Sequence, residues 1–182
     1  MRFTITIKKE SKWIFDTSAT GGVGVGLVTG SGGLIQLKNP AGMPVKFHYG
    51  GAGVGLSAGG KLPKIPKVPK IDLKGKSGSG STTDFTSNGA VYITEAFEGD
   101  ELDTDDFRGP CIFLDGGAGL IVGYSGTAFL VGIDPIKLAL AVANPVAIQL
   151  AYASAKAVVC VRGWNTGAQA GGGVSINMGY FR

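Results

Sequence analysis

With 182 residues the chain is long enough for one domain with a real core. Glycine fills 32 positions, about 18% against a usual share of about 7%, without the Gly-X-Y period of collagen, and a hydrophobic fraction of 44% excludes a disordered glycine-rich tail. The net charge of +4 is unevenly laid out, with lysines gathered at 61–76 and acids at 95–106 and no interleaved aromatics, so nucleic acid is not an expected partner.

Only 16% of the residues are charged and the mean hydropathy is +0.23. Such a surface is either covered by partners or meets a membrane. The chain opens on a strand pattern, with Phe3, Ile5 and Ile7 on one face and Arg2, Thr4, Thr6 and Lys8 on the other. It lacks the apolar core of a signal peptide. A cytoplasmic, peripheral-membrane or specially exported protein is expected.

Trp13-Ile14-Phe15 is a short candidate strand, and strands at 21–29, 33–38, 44–49 and 50–58 follow. The turn signals between them are Gly30-Ser31-Gly32-Gly33, Asn39-Pro40-Ala41-Gly42 and Gly50-Gly51. Close spacing points to an antiparallel meander rather than βαβ units. Glycine alternates with aliphatic residues in Gly22-Val23-Gly24-Val25-Gly26-Leu27 and again in Gly51-Ala52-Gly53-Val54-Gly55-Leu56. Neighbouring side chains of a strand point to opposite faces, so each phrase makes a ribbon with one apolar and one bare face. A helix, a strand layer or a ligand can approach such a face closely.

The stretch 61–88 differs. Leu62-Pro63-Lys64-Ile65-Pro66-Lys67-Val68-Pro69-Lys70 repeats every three residues, the period of polyproline II. It reads as an inserted arm whose six lysines are Lys61, Lys64, Lys67, Lys70, Lys74 and Lys76. Lysines near an anionic surface contribute about 1 kcal/mol each.

Strands resume at 89–96. An acidic loop at 98–109 carries Glu98, Asp100, Glu101, Asp103, Asp105 and Asp106. It has oxygens enough for calcium but not the spacing of a calcium-binding loop. A solvated acidic face and docking against the lysine arm are the other readings. Cys111–Leu114, Gly117–Tyr124 and Thr127–Gly132 are further strands. Asp134-Pro135 and Asn144-Pro145 are helix starts, giving two short helices at 135–143 and 145–156, or one kinked helix, apolar nearly all round and expected to be buried. Val158–Val161 and Gly173–Phe181 return to strand.

Chemistry-bearing residues are few. His48, the only histidine, lies between Phe47 and Tyr49 in a strand. Ser57, Ser125 and Asp115 exist for a hydrolase triad, but nothing in their spacing selects them. Cys111 and Cys160 sit in apolar strands as small hydrophobes or as a disulfide. No catalytic residue, metal site or cofactor is assigned.

The parts Gly22-Val23-Gly24-Val25-Gly26 and His48-Tyr49-Gly50-Gly51-Ala52-Gly53-Val54-Gly55-Leu56-Ser57-Ala58-Gly59 make residues 21–59 similar to the glycine-rich core of SYLF-type lipid-binding domains. The resemblance implies a β-rich domain that associates with phosphoinositide membranes. The chain departs from that family in opening with a strand, and no site residues are carried over.

The expectation is a single β-rich domain over 1–182, an antiparallel β-barrel or tightly packed β-sandwich of roughly ten strands with one buried helical segment at about 135–156. The leading function is a non-enzymatic protein bound to a lipid or membrane surface through the lysine arm. The alternative is a self-assembling structural or interaction protein, a homo-oligomer or secretion-associated component. There the lysine arm of one subunit would meet Asp100, Glu101, Asp103, Asp105 and Asp106 of the next, and an acidic protein partner is the other protein contact expected of the arm.

Overall fold

The computed structural model describes residues 4–25, 28–55, 70–72, 88–121, 124–162 and 175–182. Ten strands lie in these segments. They are β1 (Thr4–Glu10), β2 (Ile14–Val25), β3 (Val28–Lys38), β4 (Pro44–Gly55), β5 (Lys70–Asp72), β6 (Asn88–Thr94), β7 (Gly109–Ile121), β8 (Tyr124–Val131), β9 (Ala157–Arg162) and β10 (Ser175–Phe181). Three helices join them: α1 (Thr104–Phe107), α2 (Pro135–Ala143) and α3 (Ile148–Ser154), the last two linked by a 3-10 turn at Pro145–Ala147.

The strand order is β2-β3-β4-β10-β7-β5-β1-β6-β9-β8, and β8 also pairs with β7. That extra pairing closes β7, β5, β1, β6, β9 and β8 into a ring, from which β10, β4, β3 and β2 continue. The fold is mainly β, as expected of a barrel or sandwich with a small helical part.

Strand alternation makes two cores. Ala90 and Tyr92, Ile112 and Leu114, Ala128 and Leu130, and Val158 and Cys160 point to one face, where Ala141, Ile148, Ala151 and Tyr152 of α2 and α3 meet them. Their chain neighbours Val91, Ile93, Cys111, Phe113, Phe129, Val131, Ala157 and Val159 point to the other, against Phe15, Ile35, Leu37, Phe47 and Tyr49 of the β2-β3-β4 layer. Strands buried on both faces read as continuous apolar runs, which is how Cys111–Leu114 and Val158–Val161 look in sequence. The second core is aromatic: Tyr49 packs edge-on against Phe129 at 4.7 Å and Phe113 at 5.5 Å between ring centroids. Burying one such ring contributes about 2–3 kcal/mol.

Four expectations need correction. Gly30–Gly33 and Gly50-Gly51 are not turns but lie inside β3 and β4, which pair in register from Val28↔Val54 to Lys38↔Pro44. Glycine there thins the strands instead of reversing the chain. Only Asn39–Gly42 turns, with Gly42 at φ 81° and Asn39 Oδ1 accepting from the Ala41 and Met43 amides.

Second, the arm is not wholly outside the sheet. Lys70–Asp72 forms β5, parallel to β1 and touching β7 at Ile71↔Ile121. The sheet is therefore not entirely antiparallel. The three-residue repeat at 62–69 lies outside the described residues.

Third, the helical segment is buried on one side only. Ile136, Leu140, Val142, Val146 and Leu150 are exposed. Uniform apolarity signals burial only if neighbours surround the helix, and here a sheet covers one face.

Fourth, the bare face at Gly51 and Gly53 does not receive the helix. A Cβ on Gly51 would lie 2.5 Å from the Met178 carbonyl oxygen, and one on Gly53 would lie 1.9 Å from that of Ile176. Across the same ladder a Cβ on Gly179 would lie 2.1 Å from the Gly50 carbonyl oxygen. The neighbouring strand itself closes onto the space that side chains would fill.

Candidate functional site

The acidic segment and the ends of the helical layer bring several charged side chains together. The acids are used in building the fold. Glu101 Oε1 accepts from the Ser11 hydroxyl and Oε2 from the Lys12 amide at 3.0 Å, holding the corner between β1 and β2. The Trp13 indole donates to the Leu102 carbonyl at 2.8 Å, and Lys8 Nζ donates to the Gly99 carbonyl at 3.1 Å.

Asp103 caps α1. Its Oδ1 accepts from the Asp105 and Asp106 amides at 2.9 and 3.2 Å, and Asp106 Oδ2 accepts from the Asp103 amide at 3.0 Å. This is a reciprocal capping box. The one-turn helix it starts buries Phe107 against Trp13, with ring centroids 4.8 Å apart. The spacing Asp103-x-x-Asp106 was the signal for it in the sequence. Asp106 Oδ1 also accepts from Lys156 Nζ at 2.7 Å in a partly buried pair, while the exposed Asp105 meets Arg108 at 2.9 Å. Asp100 is exposed.

A cleft of about 550 Å³ opens between α1, the Gly132–Pro135 turn and the end of α3, lined by Asp106, Arg108, Lys137, Lys156 and Tyr180 among others. Two of its charges bind each other, Lys156 to Asp106, and Asp134 Oδ1 is taken up by the Ile136 and Lys137 amides at 2.8 and 3.2 Å. No group of three or more His, Cys, Asp or Glu side chains is placed to hold a metal among the described residues.

The structure brings Asp103, Asp105 and Asp106 together on α1 and sets Glu101 apart at the β1–β2 corner. Lys61, Lys64, Lys67, Lys74 and Lys76 lie outside the described residues. Lys70 opens β5 opposite Thr4. The basic groups in contact with the acidic segment, among the described residues, are thus Lys156, Arg108 and Lys8.

His48 is exposed on β4, and its backbone exchanges hydrogen bonds with Arg182 at 2.7 and 2.8 Å. Cys111 and Cys160 are free and buried. They face opposite cores, Cys111 toward the aromatics and Cys160 toward the helices, so no disulfide joins them. Burial pushes both thiols up to about 12. Neither is a thiolate near neutrality, the form that reacts as a nucleophile.

What the sequence hides is the exposed apolar face of α2 and α3, because an all-apolar helix does not say which side has a neighbour. No helix among the described residues is long and apolar enough to cross a membrane.

No family model and no solved structure matches the chain. It is similar to the toxin protein Tse4 of Pseudomonas aeruginosa PAO1, with 40% identity over 93% of each chain. This likeness overturns the leading expectation of a lipid-binding, membrane-associated protein acting through its lysine arm, because the relative it matches over 93% of both chains is a toxin. The alternative, a self-assembling or interaction protein, agrees with it better. At this identity and coverage, the chain belongs to the family of the toxin Tse4.

Proposed function

We propose that this chain is a toxin that acts by assembling with other protein surfaces, rather than by catalysing a reaction. The observation that carries the reading is the 40% identity to a toxin across 93% of both chains. Two features support the mode of action. The thiols are buried and protonated, and Glu101, Asp103 and Asp106 are committed to the corner, the cap and the Lys156 pair. Nucleophilic or acid–base catalysis needs such groups poised on a substrate. Meanwhile the helical layer turns large aliphatic side chains to solvent, and exposed apolar patches mark interaction sites.

The test is induced expression in a bacterial host, directed either to the cytoplasm or behind an export leader. The chain should stop growth in at least one compartment, and His48→Ala and Cys160→Ala should stop it equally well. Growth unimpaired in both compartments removes the toxin reading. Loss of toxicity in a folded His48→Ala variant removes the non-catalytic one.

A further inference from the structure

Eight large hydrophobic side chains are exposed among the described residues, and five of them fall within fifteen positions of the helical layer. Their exposures are 72% for Ile136, 50% for Leu140, 68% for Val142, 83% for Val146 and 53% for Leu150. From Leu138 to Ala155 the sequence holds no charged residue. The opposite side of the same layer is fixed to the sheet through Ala141, Ile148, Ala151 and Tyr152. The face is therefore a rigid, uncharged apolar surface, not a loose helix awaiting a place in the core.

We infer that this face is the seat of a second copy of the same chain, paired about a two-fold axis. The inference rests on the reading of the protein as one that self-assembles, and it names the surface. Area is the first argument. The five side chains expose roughly 600 Å² of apolar surface, at the top of the range for the largest patch on a monomer. Pairing the patch with itself buries at most roughly 1,200 Å², which brackets the roughly 1,000 Å² that a specific interface requires.

Charge is the second argument. A two-fold contact sets each patch against its own image, so a charge close to the axis would meet its own like charge. Here the centre has none, and Lys137 stands at the rim. The exposed Asn144 and Gln149 supply the few polar groups that an interface core carries. A helix lying on a lipid surface instead carries Lys and Arg along its polar face. This layer has no polar face, since its other side is buried in protein.

The experiment measures the mass of the full chain by light scattering and sedimentation velocity across a concentration series. Val146→Asp and Leu140→Asp are compared with the wild type, with circular dichroism and thermal unfolding as controls for folding. Both positions are exposed, so neither change disturbs the core. The wild type should reach twice the 18.5 kDa chain mass. The folded variants should remain monomeric, with dimerisation weakened at least ~100-fold, since each hot spot is lost on both copies.

A wild type that stays monomeric at every concentration overturns the proposal, as does a dimer that both substitutions leave intact. Vesicles of phosphatidylcholine and phosphatidylglycerol test the other occupant. Retention of a monomeric wild type, but not of Val146→Asp, would also overturn it. Growth inhibition is read in parallel. A monomeric Val146→Asp variant that still stops growth keeps the dimer surface and refutes self-assembly as the basis of toxicity. A monomeric but toxic wild type refutes the surface itself.

Discussion

A single methyl group on Gly53 should destabilise the protein more than most surface changes, although alanine is normally better tolerated than glycine in a strand. The new Cβ would lie 1.9 Å from the Ile176 carbonyl oxygen and 2.6 Å from the Asn177 Cα. Ordinary carbon contacts begin near 3.5 Å, so β4 and β10 must part by about 1.5 Å at this point. Ladder hydrogen bonds near 2.9 Å do not survive that separation. Two flanking bonds at about 1 kcal/mol each, with some disturbed packing, give a cost of about 2–3 kcal/mol. For a chain of this size the midpoint should fall by about 5–10 °C. Gly50, three residues earlier on the same strand, is the control. A Cβ there meets nothing within 4 Å, so Gly50→Ala should be neutral or slightly stabilising. Urea and thermal unfolding of both variants decide the matter. Equal stability of Gly53→Ala and Gly50→Ala would refute the close approach of β4 and β10.

Three further outcomes are expected. Asp134→Ala removes the cap of α2 and should cost about 1 kcal/mol, read as a drop of about 2–4 °C in unfolding midpoint. Gly132→Ala should cost about 2 kcal/mol in urea titration, because φ is +66° and a Cβ would lie 2.6 Å from the Asp106 carbonyl oxygen. Asp16 is held below the ordinary carboxylate value of 3.8, by its hydrogen bond to Lys38 and then by that to Gln36. Its folded form is thus the poorer proton acceptor, and its contribution is present above that value and vanishes as pH falls through the lowered one. The stability gap between wild type and Asp16→Asn should be constant near neutrality and close below about pH 4, as measured by chemical denaturation at several pH values.

Period-two alternation and cap chemistry made much of this fold legible. The first and last strands, the doubly apolar runs at 111–114 and 158–161, the Asn39–Gly42 turn and the Asp134 cap all stand where local sequence puts them. These features are decided by a few neighbouring residues. What failed depends on distant ones. Glycine pairs look like turns whether the chain reverses or runs straight, and only their partners on β3 and β10 show that Gly50 and Gly51 stay in a strand. The three residues of β5 join β1 and β7 across the sheet, which no local pattern announces. The acidic segment reads as a solvated charge run. Its Asp103 and Asp106 spacing carried the capping box, but the partners Ser11 and Lys156 are far away in sequence. The exposed apolar face was the least legible feature, since composition records how apolar a helix is and not which side is covered.

The two thiols give each layer its own clock. Cys111 lies beneath the β2-β3-β4 layer and Cys160 beneath the helices, on opposite faces of one sheet. A buried thiol is labelled only after something lifts off it, so the labelling rate measures how often that lift occurs. Modification of Cys160 ahead of Cys111 would time the detachment of the helical layer while the aromatic core stays shut, and the reverse order would time the peeling of the glycine-rich layer. The molecule thus reports, from two of its own atoms, which of its layers opens first.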